Sequence, residues 1–330
     1  MKKAAVSFFL LVLLCAFNLR RDSLFPDYWP EPRVSLSLDS QKIALGRFLF
    51  YDPILSRDSS VSCESCHSPY SSFTHIDHAL SHGIDNQIGT RNAPALFNLA
   101  WQSHFMWDGI ANSLQEQNTQ PILNPIEMDG DMDFIIRKLK RSDHYRELFA
   151  KAFRVDAINE AHLLEALSEF QLTLISANSK YDQVMAGKAE FNEMERKGYE
   201  IFKTRCNSCH TEPLFSTYAF ANNGLPADTA LNDLGRYSLT LNPKDSFLFK
   251  IPSLRNLKYT FPYMHDGRFT SLYQVLDHYQ FGIAFSTTLA PVLKNGIHLS
   301  SNERTELVAF LLTLSDEAFV FKPEHAAPRN

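Results

Sequence analysis

The sequence predicts a mainly α-helical chain built as two tandem copies of one domain with long loops, and three observations carry that prediction. The pattern C-x-x-C-H occurs twice, at Cys63, Cys66 and His67 and again at Cys206, Cys209 and His210. A separate stretch repeats at the fixed offset that takes Pro94 onto Pro252. Two segments, one following Asn159 and one starting near Ser301, space their apolar residues for a helix. Composition agrees with this. The chain has 330 residues, 45% of them hydrophobic and 21% charged, which suits two ordinary globular domains and excludes a disordered or fibrous chain. A net charge of -5 shows no basic excess, so no nucleic-acid partner is expected.

Five cysteines are too few for a disulfide scaffold, and four of them sit in the two C-x-x-C-H copies. That pattern attaches c-type haem covalently. Two thioethers fix the edge of the porphyrin, and the next residue on the turn, His67 or His210, presents an imidazole to the iron. The alternatives are a zinc site of Cys63, Cys66, Cys206 and Cys209, or a pair of redox dithiols. Both leave the two histidines unexplained. The fold class is therefore mainly α, with two tandem cytochrome c-like haem domains and long haem-wrapping loops, and the cofactors are two covalently bound haem c groups.

Along the chain, residues 1–22 have the form of an export signal. Met1, Lys2 and Lys3 make a charged start, Ala4 to Leu14 is an uncharged apolar run, and Arg20, Arg21 and Asp22 follow. The run is shorter than the roughly 20 residues of a membrane span. Bacterial haem attachment to cytochromes c takes place outside the inner membrane, so a periplasmic location is expected. Cys15 is a candidate lipid-attachment site that would tether the protein to a membrane. Leu14 is not the small residue that usually precedes such a cysteine, and simple cleavage or an uncleaved anchor are the alternatives.

Residues 23–185 form the first haem domain and residues 186–330 the second. Gly46 to Phe50 and Gly198 to Phe202 are helix ends that precede the two haem motifs. Asn159 caps a helix carrying Leu163, Leu164, Leu167, Phe170 and Leu174 on one face, and Ser301 or Asn302 starts a last helix carrying Leu307, Phe310, Leu311 and Leu314. The polar stretch Ser179 to Asn192 is the junction. At the repeat offset, Leu96 and Asn98 match Leu254 and Asn256, and Met106, Asp108 and Gly109 match Met264, Asp266 and Gly267. Ser113 and Leu114 then match Ser271 and Leu272. Extended further, the offset sets Pro121 against Tyr279. A phenolate oxygen ligates iron and proline does not, so one haem is expected to be open and the other closed.

These residues resemble the bacterial dihaem cytochrome c peroxidases, and within them the MauG-like branch. The likeness runs from about Ile43 to Ser315. It is carried by Leu45-Gly46-Arg47, by Gly89-Thr90-Arg91-Asn92, by Trp107-Asp108-Gly109, by Gln117, Pro121, Pro125, Glu127 and Met128, by Pro252 to Asn256, and by Thr260, Pro262, Tyr263, His265, Asp266 and Gly267. The resemblance implies roles. His67 would be the proximal ligand of a peroxidatic haem whose open side is lined by Gln117, Pro121 and Glu127. Glu127 would be its acid-base residue, and Trp107 an electron conduit between the haems. His210 would be the proximal ligand of the electron-transfer haem. Tyr279 stands where other members carry Met or Tyr as the second ligand, with Met264, His265 and His278 as competitors. Asn92, Thr260 and Pro262 match a calcium site; oxygen-only ligation suits that ion. Members that need reductive activation have a loop histidine where this chain has Ile84, with His75, His78 and His82 close by. Read as a polar loop with three histidines, this implies constitutive activity; the alternative is that His82 takes the sixth position of the oxidised haem.

The resemblance further implies reduction of hydrogen peroxide to water with electrons from a small donor protein, a cytochrome c or a cupredoxin. The alternatives are a MauG-like oxidase acting on residues of a partner protein and a non-enzymatic dihaem electron carrier. A homodimer is expected from the family alone.

Overall fold

The computed structural model describes residues 24–36, 39–155 and 157–329. The leader and Cys15 lie outside the described residues. The helices are α1 (Ser40–Tyr51), α2 (Leu114–Leu123), α3 (Met132–Arg141), α4 (Asp143–Phe153), α5 (Glu160–Leu172), α6 (Lys180–Met185), α7 (Glu193–Arg205), α8 (Tyr237–Thr240), α9 (Leu272–Phe281), α10 (Ser301–Leu312) and α11 (Glu317–Val320). Two short strands, β1 (Phe220–Ala221) and β2 (Phe249–Lys250), pair antiparallel.

Side-chain caps set the helix starts. Asp39 accepts from the amides of Gln41 and Lys42, Ser113 from Glu116, and Asn159 from His162. The last long helix starts at Ser301, one of the two starts the sequence offers, and its cap is Ser300 in a capping box with Glu303.

Each half is organised by one close helix crossing. α1 meets α5 at Gly46, where an added Cβ would overlap the carbonyl of Ala166; α7 meets α10 at Gly198, where it would overlap the carbonyl of Glu306. Beside each crossing the phenyl rings pack at the same spacing, Phe50 on Phe170 at 5.2 Å and Phe202 on Phe310 at 5.2 Å. Gly198→Ala must push the two helices apart. It is expected to destabilise the holoprotein by about 1–3 kcal/mol, read as a lower Tm; an unchanged Tm would contradict the crossing.

The internal repeat is present in the backbone. Asn98 and Asn256, Met106 and Met264, and Gly109 and Gly267 all have positive φ. Phe105 bridges Ala111 as Tyr263 bridges Phe269. The amide of Asn98 donates to Leu174 O at 2.9 Å, and that of Asn256 to Leu314 O at 3.1 Å. α2 and α9 begin and end at equivalent positions, and Ser113 and Ser271 cap them alike.

Two apolar cores result. One is built around Leu45, Phe50, Phe73, Leu167 and Phe170, the other around Phe202, Phe215, Leu307, Phe310 and Leu314. The polar junction is not a loose linker. It contains α6, whose Tyr181 packs in the second core, while Phe319 and Val320 near the C-terminus pack in the first. Asp182 on α6 makes a bidentate pair with the fully buried Arg255 at 2.8 Å for both contacts. The Tyr28 hydroxyl donates to the same carboxylate at 2.8 Å.

Candidate functional site

The first C-x-x-C-H forms a tight turn in which the amide of His67 donates to Cys63 O at 3.0 Å; the second repeats it, His210 to Cys206 O at 3.0 Å. His67 Nδ1 lies 2.8 Å from Phe73 O. His210 Nδ1 lies 3.3 Å from Phe215 O and 3.2 Å from Pro252 O. A carbonyl only accepts, so Nδ1 carries the proton in both rings and Nε2 keeps its lone pair for a metal. Burial pushes both imidazoles down to about 4, so both are neutral near pH 7.

Both motifs open onto one cavity of about 550 Å³. Its walls include Cys63, Cys66, His67, Cys206, Cys209 and His210, together with Trp107, Gln117, Pro121, Glu127 and Tyr279, and also Asn92, Thr260 and Pro262. Every residue given a haem-binding, catalytic or calcium role from the sequence therefore lines the same space. The four thiols are free, and burial pushes those of Cys63 and Cys206 up to about 12 and that of Cys66 up to about 11. Among the described residues no group of three or more Cys, His, Asp or Glu side chains stands close enough to hold a metal ion, so a four-cysteine zinc site is not assembled. Gln117 Oε1 and the Tyr218 hydroxyl, both on the cavity wall, are buried without a protein partner. Free thiols, neutral imidazoles and unsatisfied polar atoms around a large apolar space fit two covalently attached haems.

The two ends of the cavity differ at equivalent positions. Pro121 lies in the last turn of α2 and Tyr279 in the last turn of α9, and both line the cavity. Proline offers no donor or ligand atom there. The Tyr279 phenol is pushed up to about 12, chiefly by burial, with an opposing hydrogen bond from Asn223 and electrostatic contact with Cys206 and Cys209. It thus lies beside the second motif. Of the competing ligands, Met264 and His265 line the cavity, whereas His278 Nε2 turns to Asn223 O at 3.1 Å.

Glu127 follows α2 on a turn fixed by two backbone hydrogen bonds. Its amide donates to Asn124 O at 3.0 Å, and its carbonyl accepts from the Ile84 amide at 2.7 Å. Burial raises its carboxyl above the ordinary range, against a lowering hydrogen bond from Asn124. Ile84 is buried behind that carbonyl, while His82 lines the cavity and stacks on His78 at 4.3 Å. Trp107 joins the halves. Its Nε1 donates to Asn92 O at 2.8 Å, and its carbonyl accepts from the amide of Lys250 at 2.7 Å. Lys250, Tyr218 and Asn223 are wall residues that no motif marks.

Among the described residues no helix is long and apolar enough to cross a membrane. The family model for di-haem cytochrome c peroxidase matches residues 40–190. The methylamine utilization protein MauG of Methylorubrum extorquens is 38% identical over 304 residues, covering 88% of this chain and 83% of that protein. The cytochrome c551 peroxidase of Nitrosomonas europaea is 33% identical over 291 residues, covering 87% and 83%. The crystal structure of a MauG-like protein associated with microbial copper homeostasis superposes with a TM-score of 0.83 at 30% identity, covering 92% of this chain and 98% of that one. With two haem-attachment motifs facing one cavity and relatives that match along most of its length, the chain belongs to the di-haem cytochrome c peroxidase family, which includes MauG.

Proposed function

We propose that this oxidoreductase reduces hydrogen peroxide to water at the haem of residues 23–185, drawing electrons through the haem of residues 186–330 from a small redox protein. The observation that carries the reading is the contrast between Pro121 and Tyr279 at equivalent positions of one cavity. The haems, when bound to Cys63, Cys66, His67, Cys206, Cys209 and His210, would supply the redox-active iron for peroxide reduction. The protein's part is proton traffic and access. The Glu127 carboxylate takes the proton from the inner peroxide oxygen and returns it to the outer one, so that water leaves. Gln117, with an unsatisfied buried oxygen, orients the peroxide by hydrogen bonding. Pro121 keeps the open side free of a protein ligand. Trp107, hydrogen-bonded to both halves, lies on the electron route. Asn92, Thr260 and Pro262, which line the same cavity, would hold a calcium ion through oxygen atoms. The protein is exported to the periplasm, with Cys15 as the point of any lipid tether, and works as a homodimer.

Tyr279 also favours a second reading, in which the same oxidising state is spent on residues of a partner protein, as in a MauG-like oxidase. An anionic phenolate ligand stabilises a high metal valence. The reductant separates the two. Rapid peroxide turnover with reduced cytochrome c or cupredoxin supports the first reading; peroxide-dependent oxidation of a partner protein with slow donor turnover supports the second. A ferric spectrum unmoved by peroxide would leave only an electron carrier.

A further inference from the structure

The cavity wall carries cations that are not equally neutralised. Arg91 is paired with Asp108 and Asp233, each at 2.7 Å, and Arg255 with Asp182 at 2.8 Å. Lys250 differs. Its Nζ donates to Gln102 Oε1 at 2.5 Å and to His104 O at 3.0 Å, both of them neutral acceptors. Asp108 is the carboxylate whose charge reaches it, and Arg91 already holds Asp108. Burial pushes the Lys250 ammonium down to about 7. Lys250 and Gln102 both line the cavity. An ammonium removed from water is costly unless an anion meets it.

Lys250 also stands at the seam of the two halves. Its amide donates to Trp107 O at 2.7 Å, and two residues on, Pro252 O meets His210 Nδ1 at 3.2 Å. A haem entering the cavity brings propionate carboxylates that need cations. Resting on the reading of the two C-x-x-C-H turns as haem sites, we infer that Lys250 is the counter-cation of a haem propionate, aimed into the cavity by Gln102 and the His104 carbonyl. It is a positioning residue. Its positive charge at the cavity wall favours the electron on the haem it pairs with.

Spectroelectrochemical titration of the purified holoprotein at pH 8 tests this, with a pyridine haemochrome assay run beside it to count haems. Lys250→Met with two haems attached is expected to make reduction of one haem about tenfold less favourable while leaving the other unmoved. Lys250→Arg, which keeps the charge, is expected to restore the wild-type pattern. Two attached haems with both potentials unchanged in Lys250→Met would overturn the pairing and leave the haem reading intact. If Lys250→Met attaches fewer than two haems, Lys250→Arg decides. Two haems at wild-type potentials support the pairing; displaced potentials, or failure to attach haem although the charge is kept, overturn it. A wild-type protein without two haems would overturn the haem reading itself.

Discussion

Glu127→Gln is expected to slow the reaction of the ferric holoprotein with hydrogen peroxide by about 10²–10⁴-fold, the range of a removed general acid-base group. The amide matches the carboxyl in shape but takes no proton. The pH profile gives a second readout. The base form of Glu127 starts the reaction, and burial raises its carboxyl above the ordinary value. The rate should therefore rise with pH through an acid limb displaced upward from about 4.3, the usual glutamate value. Glu127→Gln should remove the limb as well as the rate. Stopped-flow traces of the haem absorbance on mixing with peroxide measure both, and a variant with the wild-type rate would exclude Glu127 from proton transfer.

Asp182→Asn is expected to cost about 3–5 kcal/mol of stability, because it leaves Arg255 buried with its charge unanswered. Arg255 is fully buried, and both its pairing contacts go to Asp182 at 2.8 Å. Burial alone pushes the Asp182 carboxyl up, but the charge and hydrogen bonds of Arg255, with Ser179 and Tyr28, outweigh it and hold the carboxyl below its ordinary value. A lowered carboxyl contributes stability above its unfolded value, about 3.9, and loses that contribution as pH falls through the lower folded value. Denaturant titrations of wild type and variant should therefore differ most near neutrality and converge in acid. Equal stability at pH 7 would mean the pair does not tie the junction to the second half.

How much of this was legible in the sequence depended on how local each signal was. The two C-x-x-C-H turns are local, and the structure directs both sets of thiols and imidazoles into one cavity. The repeat was legible because gap-free spacing preserves helix register, which is why Pro121 and Tyr279 fall in the same turn of α2 and α9. Glycine at positions 46 and 198 stood out as a pattern, but its reason, a carbonyl pressed against each, needs the partner helix. The start at Ser301 was one of two the sequence offered; Ser300, Ser301 and Asn302 are all good caps, and the reciprocal bond with Glu303 made Ser300 the cap. The Asp182–Arg255 pair and the Lys250 cradle had no sequence signal. Their partners lie far apart along the chain, and a single charged residue usually marks a solvated surface.

Electron paramagnetic resonance of the ferric protein, read beside Tyr279→Phe, tests the central asymmetry most directly. An open side at Pro121 and a phenolate at Tyr279 predict one high-spin and one low-spin haem, with the substitution altering the low-spin signal alone. Two low-spin haems in the wild type, or a low-spin signal indifferent to the loss of the phenol, would contradict the account.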